Sequence, residues 1–281
     1  MGRLMKSLSP EFAALMSSSK TSARRILPMW MRLVAFVIAL GVGMAEADAT
    51  ALLRRFHVWG HFRPGSWVVV RQGTETLDPA GKVVGVSTTE TRTTLAGVDD
   101  RCLTFRVQAS LEVGGKKIDG PAQEMRQGHH GERPEASTPI TSIVGQEEIQ
   151  VQGRKYSCRI EQTDVTVDGK QTTTKVWNSP DAAPFELRRL TTTVDTASGK
   201  VLDETLVEVV SLSLQRRILA RSRPTAEVRI VHRHARGRTQ AQAVNCPEIP
   251  GGIVSQQTEE FDADGKLLRR SKVELVDFET K

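Results

Sequence analysis

The sequence predicts an all-β protein, built as a curved antiparallel sheet or an unclosed barrel of hairpins with duplicated C-terminal hairpin units. Three observations predict this architecture: side chains alternate with a period of two, turn residues recur at regular intervals, and a C-terminal segment repeats. Threonine and valine are abundant, and such β-branched residues favour strands. Aromatic residues make up only 5% of the chain, so the predicted core is mainly aliphatic.

The alternation extends from the mid-fifties to the C-terminus. Trp67-Val-Val-Val-Arg-Gln opens a strand, and residues 155–162 and 201–210 alternate or nearly alternate. This period is typical of strands that bury one face, whereas an amphipathic helix would show a period of 3.6. We therefore assign residues 56–212 to an antiparallel β domain.

Tight turns separate the predicted strands. Asp168-Gly169 and Gly114-Gly115 each lie between two alternating segments, and Asp264-Gly265 does the same near the C-terminus. Such pairs tolerate the positive φ angles of a two-residue hairpin turn. Consecutive strands should therefore pair as hairpins.

The C-terminal part repeats the part before it. Trp177-Asn-Ser-Pro180 corresponds to Val244-Asn-Cys-Pro247, and similar Asp-containing turns follow both segments. Self-similarity at a fixed spacing indicates repeated supersecondary units. Residues 225–281 are thus predicted to be a repeat hairpin unit that continues the sheet. The Arg-rich residues 213–224 are predicted to connect the units, as a short helix or an extended segment.

The N-terminal residues predict export. Residues 29–47 contain an apolar run that begins after Arg32, and Ala45-Glu46-Ala47 fits a signal-peptide cleavage site. We expect a periplasmic or extracellular mature protein, with membrane contact only if this segment stays uncleaved as an anchor. Residues 1–28 are long and Ser-rich for a signal peptide. They either follow from a start codon assigned too far upstream (an over-called start) or form a basic extension of the signal peptide.

The net charge does not predict a nucleic-acid partner. Residues 1–47 hold six basic and two acidic residues, so they carry +4 of the formal charge of +6. The remaining chain, at +2, has mixed charges and lacks the strong positive field that polyanions require.

The residues that could carry chemistry are few. Trp67 and Trp177 are candidates for ligand binding, although such residues usually belong to a core. His232 and His234 would share one face of a strand and could bind an anion or a metal, but four arginines nearby oppose a cation. His129-His130 belongs to a Gly- and Pro-containing loop. No catalytic constellation and no cofactor motif is evident, so an enzyme is not expected.

Three cysteines follow the predicted signal peptide: Cys102, Cys158 and Cys246. Export would permit a disulfide between two of them, whereas buried free cysteines behave as small apolar residues. The sequence leaves both possibilities open.

The layout of the mature chain resembles the exported proteins of the lipoprotein-carrier-like (LolA/LolB-like) superfamily. The resemblance rests on the strand start Gly65-Ser-Trp67, on the segment 149–158, and on Thr174-Lys-Val-Trp-Asn-Ser-Pro180 followed by Phe185-Glu-Leu-Arg-Arg189. It implies a curved, unclosed antiparallel barrel that can shelter a lipid or another apolar ligand. The alternative expectation is a structural or protein-interaction module whose partner is a protein of the cell envelope.

Overall fold

The computed structural model describes residues 57–99, 102–128 and 140–281, which confirm the all-β prediction. The predicted signal segment and His129-His130 lie outside these residues. The described residues form fourteen strands: β1 (Trp67–Leu77), β2 (Val83–Val98), β3 (Cys102–Val113), β4 (Lys116–Asp119), β5 (Gln123–Gly128), β6 (Ile140–Val151), β7 (Arg154–Val167), β8 (Lys170–Asn178), β9 (Glu186–Asp195), β10 (Val201–Ile218), β11 (Arg221–His234), β12 (Gly237–Asn245), β13 (Ile253–Asp262) and β14 (Leu267–Glu279). They include no helix that could span a bilayer.

All fourteen strands belong to one antiparallel sheet. Its order is β4-β3-β2-β1-β14-β13-β12-β11-β10-β9-β8-β7-β6, and β5 pairs with β3 beyond the end of β4. Most neighbours in this order are consecutive in the chain. The exception is the pairing of β1 with β14, which places Trp67 opposite Glu279.

The sheet is curved, as the sequence predicts. The turn between β6 and β7 contains Gln152, whose side-chain Nε2 donates a hydrogen bond to Ser211 Oγ at 3.1 Å. The backbone N–H of Leu212 donates to Gln152 Oε1 at 3.1 Å. Both partners belong to β10, although β7, β8 and β9 lie between β6 and β10 in the sheet. Only a curved sheet brings these strands together, and the strand order leaves the barrel unclosed.

Two of the three predicted two-residue turns have positive φ at both central positions, whereas in the third only Gly265 and not Asp264 has a positive φ. Asp168 and Gly169 join β7 to β8 with φ angles of 49° and 70°. Gly114 and Gly115 join β3 to β4 with φ angles of 59° and 76°. Positive φ at both central positions is the requirement of a type I′ turn.

The repeated Asp residues organise three further turns. The Oδ1 atom of Asp78 accepts hydrogen bonds from the backbone N–H groups of Ala80 and Lys82, both at 2.9 Å. Asp195 and Asp262 likewise accept backbone N–H groups in their own turns. Short acidic side chains stabilise turns in this way, which explains why each of these three turns begins with Asp.

The two repeated units have the same element order. Strands β7 and β8, a bend and strands β9 and β10 form the first unit, and β11 to β14 form the second. Asn178 ends β8 and Asn245 ends β12, in agreement with the repeat in the sequence. Residues 213–224, expected to connect the units, extend β10 and β11 into a longer hairpin that turns at Leu219.

The buried apolar side chains of the described residues form two clusters that pack against the sheet. The first surrounds Tyr156, Trp177 and Leu187 and extends from β6 to β12. The second surrounds Trp59, which precedes β1 and packs edge-on against Phe105, with ring centroids 5.3 Å apart. All three cysteines are buried and free, so no disulfide forms among them.

Candidate binding groove

The structure separates the two tryptophans that the sequence singles out. Trp67 lies on β1, where its Nε1 donates to Glu279 Oε2 at 2.9 Å and Arg92 stacks 4.0 Å from its ring. Trp177 lies on β8 and is only 8% exposed, and its Nε1 donates to Glu147 Oε2 at 2.8 Å. Six strands lie between β1 and β8 in the sheet. These two side chains therefore belong to different parts of the molecule.

His232 and His234 lie side by side on β11, as their spacing predicts. Their ring centroids are 5.2 Å apart, and His232 Nδ1 is hydrogen-bonded to Thr205 Oγ1 at 2.8 Å. Burial lowers the pKa of His232, and the neighbouring His234 lowers it further, whereas Asp203 raises it. Within the described ranges, no group of three or more His, Cys, Asp or Glu residues could hold a metal ion.

An open groove crosses strands β11, β12, β13, β14, β1 and β2. Its volume is about 540 Å³. Three glutamines, Gln240, Gln242 and Gln257, lie in the centre of its lining. We call this feature the amide groove. Neither tryptophan candidate lines it, and neither does the histidine pair.

Two rows of side chains, each one residue per strand, form the amide groove. Cross-strand partners point to the same face of an antiparallel sheet. The first row is Arg229, Gln242, Gln257, Lys272 and Gly73, on β11, β12, β13, β14 and β1. The second row is Val231, Gln240, Glu259, Arg270, Glu75 and Val86, which continues onto β2. At about 4.8 Å between strands, the first row is roughly 19 Å long.

Gly73, at one end of the first row, leaves the backbone of β1 uncovered by a side chain. It lies in the interior of β1, where a glycine weakens a strand because it has no side chain to pack. A Cβ at this position would meet no atom within 4 Å, so the space above it is empty. A glycine inside a strand often marks the close approach of a ligand.

Most charges of the amide groove are already paired. Arg229 contacts Glu208 at 2.5 Å, Lys272 contacts Glu274 at 2.6 Å, and Arg270 is paired with Glu75. The three glutamine amides, in contrast, make no side-chain hydrogen bond within the described part of the chain. Each free amide offers both donors and an acceptor. The groove therefore presents unpaired amides beside three paired cations, together with the exposed carboxylate of Glu259, which makes no ion pair within the described residues.

A second polar feature is a cluster of largely buried polar and charged side chains on β7, β8 and β9. Arg159, Asn178 and Glu186 are cross-strand neighbours, and Glu161 and Arg189 belong to the adjacent row. Arg189 Nη2 donates to Glu186 Oε2 at 2.9 Å, and Arg159 is paired with Glu161. Burial raises the pKa of both glutamates, that of Glu186 to about 7. No groove or cavity that we describe reaches this ionic cluster, so we do not assign it to binding.

Sequence reasoning missed the amide groove because the groove depends on strand order. Its residues come from strands near both ends of the sheet sequence, and only the pairing of β1 with β14 joins Gly73 to Lys272. The glycine inside an alternating valine-rich strand was the one signal that could have indicated it.

No protein-family model matches the chain. No curated protein matches it. Solved structures show a limited similarity to three proteins. The first is a predicted lipoprotein of Parabacteroides distasonis, with 12% identity over 77% of this chain and 96% of that chain and a TM-score of 0.33. The second is a predicted exported protein of Bacteroides fragilis with a YmcC-like fold, with 9% identity over 78% of this chain and 97% of that chain and a TM-score of 0.30.

The third is a DUF1329 family protein of Desulfovibrio piger. It is 9% identical over 85% of this chain and 94% of that chain, with a TM-score of 0.35. All three TM-scores lie below 0.5, so the proposals that follow rest on this chain's own residues.

Proposed function

We propose that this chain is an exported, non-enzymatic binding protein that holds a polar ligand in the amide groove. The observation that carries the proposal is the set of three unpaired glutamine amides on the adjacent strands β12 and β13, two of which, Gln242 and Gln257, are cross-strand partners. Binding of this kind needs donors, acceptors and an accessible floor, all of which the amide groove provides. Export is supported by residues 29–47, which have the composition of a signal peptide.

The geometry favours a polar ligand over the lipid that the sequence resemblance implies. The two apolar clusters are filled by the chain's own side chains, including Trp59 and Trp177. A buried acyl chain contributes about 0.8 kcal/mol per CH₂. Covering an amide without offering it a hydrogen bond costs about 1–3 kcal/mol. Three covered amides would thus offset much of what an acyl chain could contribute in the amide groove.

Blocking the floor of the amide groove tests the proposal. Gly73→Trp would fill the empty space above β1, and the extended backbone there accepts a side chain. Gly85→Trp is the matched control, because it lies on the adjacent strand but pairs with Thr76 on the opposite face. We propose affinity electrophoresis of both variants and the wild type in gels that contain hydroxyethylcellulose, glycol chitin or gelatin.

We expect at least one of these neutral or weakly charged polymers to retard the wild type and the Gly85→Trp variant, but not the Gly73→Trp variant. Dansyl-undecanoic acid serves as the apolar probe in a parallel fluorescence titration. If no polymer retards the wild type, or if only the fatty acid binds, the proposal is wrong. Circular dichroism of both variants checks that the sheet is intact.

A further inference from the structure

We infer that the ligand of the amide groove is an extended β-1,4-linked glycan that carries N-acetyl groups, bound with about one sugar per strand. This inference rests on the proposed function and names its ligand class. Three observations support it: the direction of the rows, their spacing, and the pairing of their charges.

The rows run across the strands, and this direction selects the type of polymer. Successive groups in a row are about 4.8 Å apart, the distance between neighbouring strands. A polypeptide places its residues 3.2–3.4 Å apart when extended, so its groups fall out of step with the row. Extended peptides instead pair with the edge of a sheet. In an extended β-1,4-linked glycan, successive sugars follow one another at nearly the strand spacing.

The charges of the amide groove disfavour an anionic ligand, because its cations are paired and the carboxylate of Glu259 makes no ion pair within the described residues. Arg229, Arg270 and Lys272 are all occupied by carboxylates, so an anionic polymer would have to displace existing ion pairs. Gln242 on β12 and Gln257 on β13 are direct cross-strand neighbours. Neither side-chain amide makes a hydrogen bond within the described residues. An acetamido group has one N–H donor and one carbonyl acceptor, and both can pair with a glutamine amide. Sugar hydroxyls can fill the remaining positions.

Gly73 and the two valines complete the fit. Val86 on β2 is 60% exposed and lies at one end of the second row, whereas Val231 lies at the other. Their methyl groups can contact the apolar faces of the sugar rings. Gly73 lets a ring approach the backbone of β1, where any side chain would hold it away. The first row covers five strands, which sets the length of glycan that the amide groove can contact.

A length series of chitin oligosaccharides, from two to seven sugars, tests the inference by isothermal titration calorimetry. We expect affinity to rise with each sugar up to about five and then to level off. Cellulose oligosaccharides of equal length, which lack the acetamido group, should bind at least fivefold more weakly. Gln257→Ala should weaken binding of the five-sugar oligomer about fivefold or more. Gln123→Ala, at an exposed position on β5, should not.

The outcomes separate this inference from the proposed function. If the chitin oligosaccharides do not bind but retardation by gelatin or hydroxyethylcellulose still depends on Gly73, the assignment to an N-acetylated glycan is wrong and the polar groove stands. The inference also fails if affinity is independent of oligomer length, or if Gln257→Ala and Gln123→Ala bind alike. If retardation by every polymer is the same for the wild type and the Gly73→Trp variant, the proposed function and the glycan inference are both wrong.

Discussion

The buried carboxylate of Glu186 should make the stability of the sheet depend on pH. Arg189 donates two hydrogen bonds to it, at 3.1 Å and 2.9 Å, and both side chains are about nine-tenths buried. Burial raises the pKa of Glu186 from 4.5 to about 7, and Arg189 only partly opposes the shift. The folded state therefore binds more protons than the unfolded state between these two values. The resulting stability is fully present below about pH 4.5 and is lost as the pH rises through about 7.

The size of this effect follows from the two pKa values. Their difference corresponds to about 3 kcal/mol of unfolding free energy, a large part of the stability of a typical domain. Burial also raises the pKa of the neighbouring Glu161, so that residue acts in the same direction. His232 acts in the opposite direction, because its pKa is lowered and its contribution to stability is lost as the pH falls.

The perturbation that isolates Glu186 is Glu186→Gln, because the amide has the shape of the protonated acid and does not ionise. We expect the variant to match the wild type near pH 4.5 and to be more stable by up to about 3 kcal/mol at pH 8. Urea unfolding at intervals of half a pH unit measures this difference. Glu147→Gln, at a position where the side chain is 46% exposed, serves as the control. The reasoning is refuted if the profile of Glu186→Gln follows that of the wild type over the whole range.

Three further predictions follow from the fold. Trp59→Ala should lower the unfolding free energy by about 3–5 kcal/mol in urea, because the ring is 1% exposed and packs against Phe105; the part-buried Trp67→Ala should cost clearly less. Ellman's reagent should label none of the three buried thiols in the native protein and all three in guanidinium, and rapid labelling before unfolding would contradict the structure. N-terminal sequencing of protein recovered after export should begin immediately after Ala47, and a start at Met29 or upstream of it would rule out cleavage.

Local sequence signals predicted the turns well, because each turn depends on a few adjacent residues. Asp168-Gly169 has the backbone that its residues favour, and the repeated Asp turns recur in the structure. The turn at Leu219 was not predicted. Leu219 has a positive φ of 53° without a glycine or asparagine to signal it, and the flanking arginines conceal the alternation of β10 and β11.

Long-range pairings could not be predicted from local patterns. Alternation shows which side chains share a face within one strand, but not which strand lies beside it. Gln257 and Lys272 belong to one hairpin, whereas Gly73 reaches their row only because β1 pairs with β14. The sequence therefore indicated isolated candidates such as Trp177 and His234, and the groove emerged only from the assembled sheet.

The pairing of β1 with β14 also affects how the chain folds. Residues that meet across this pair, such as Thr74 and Ser271, are separated by nearly the whole mature sequence. Contacts between distant residues form slowly, because a long loop must close before they are made. The sheet cannot be completed until β14 has been synthesised, whereas hairpins between consecutive strands can form before the pairing that joins the two ends of the sheet sequence.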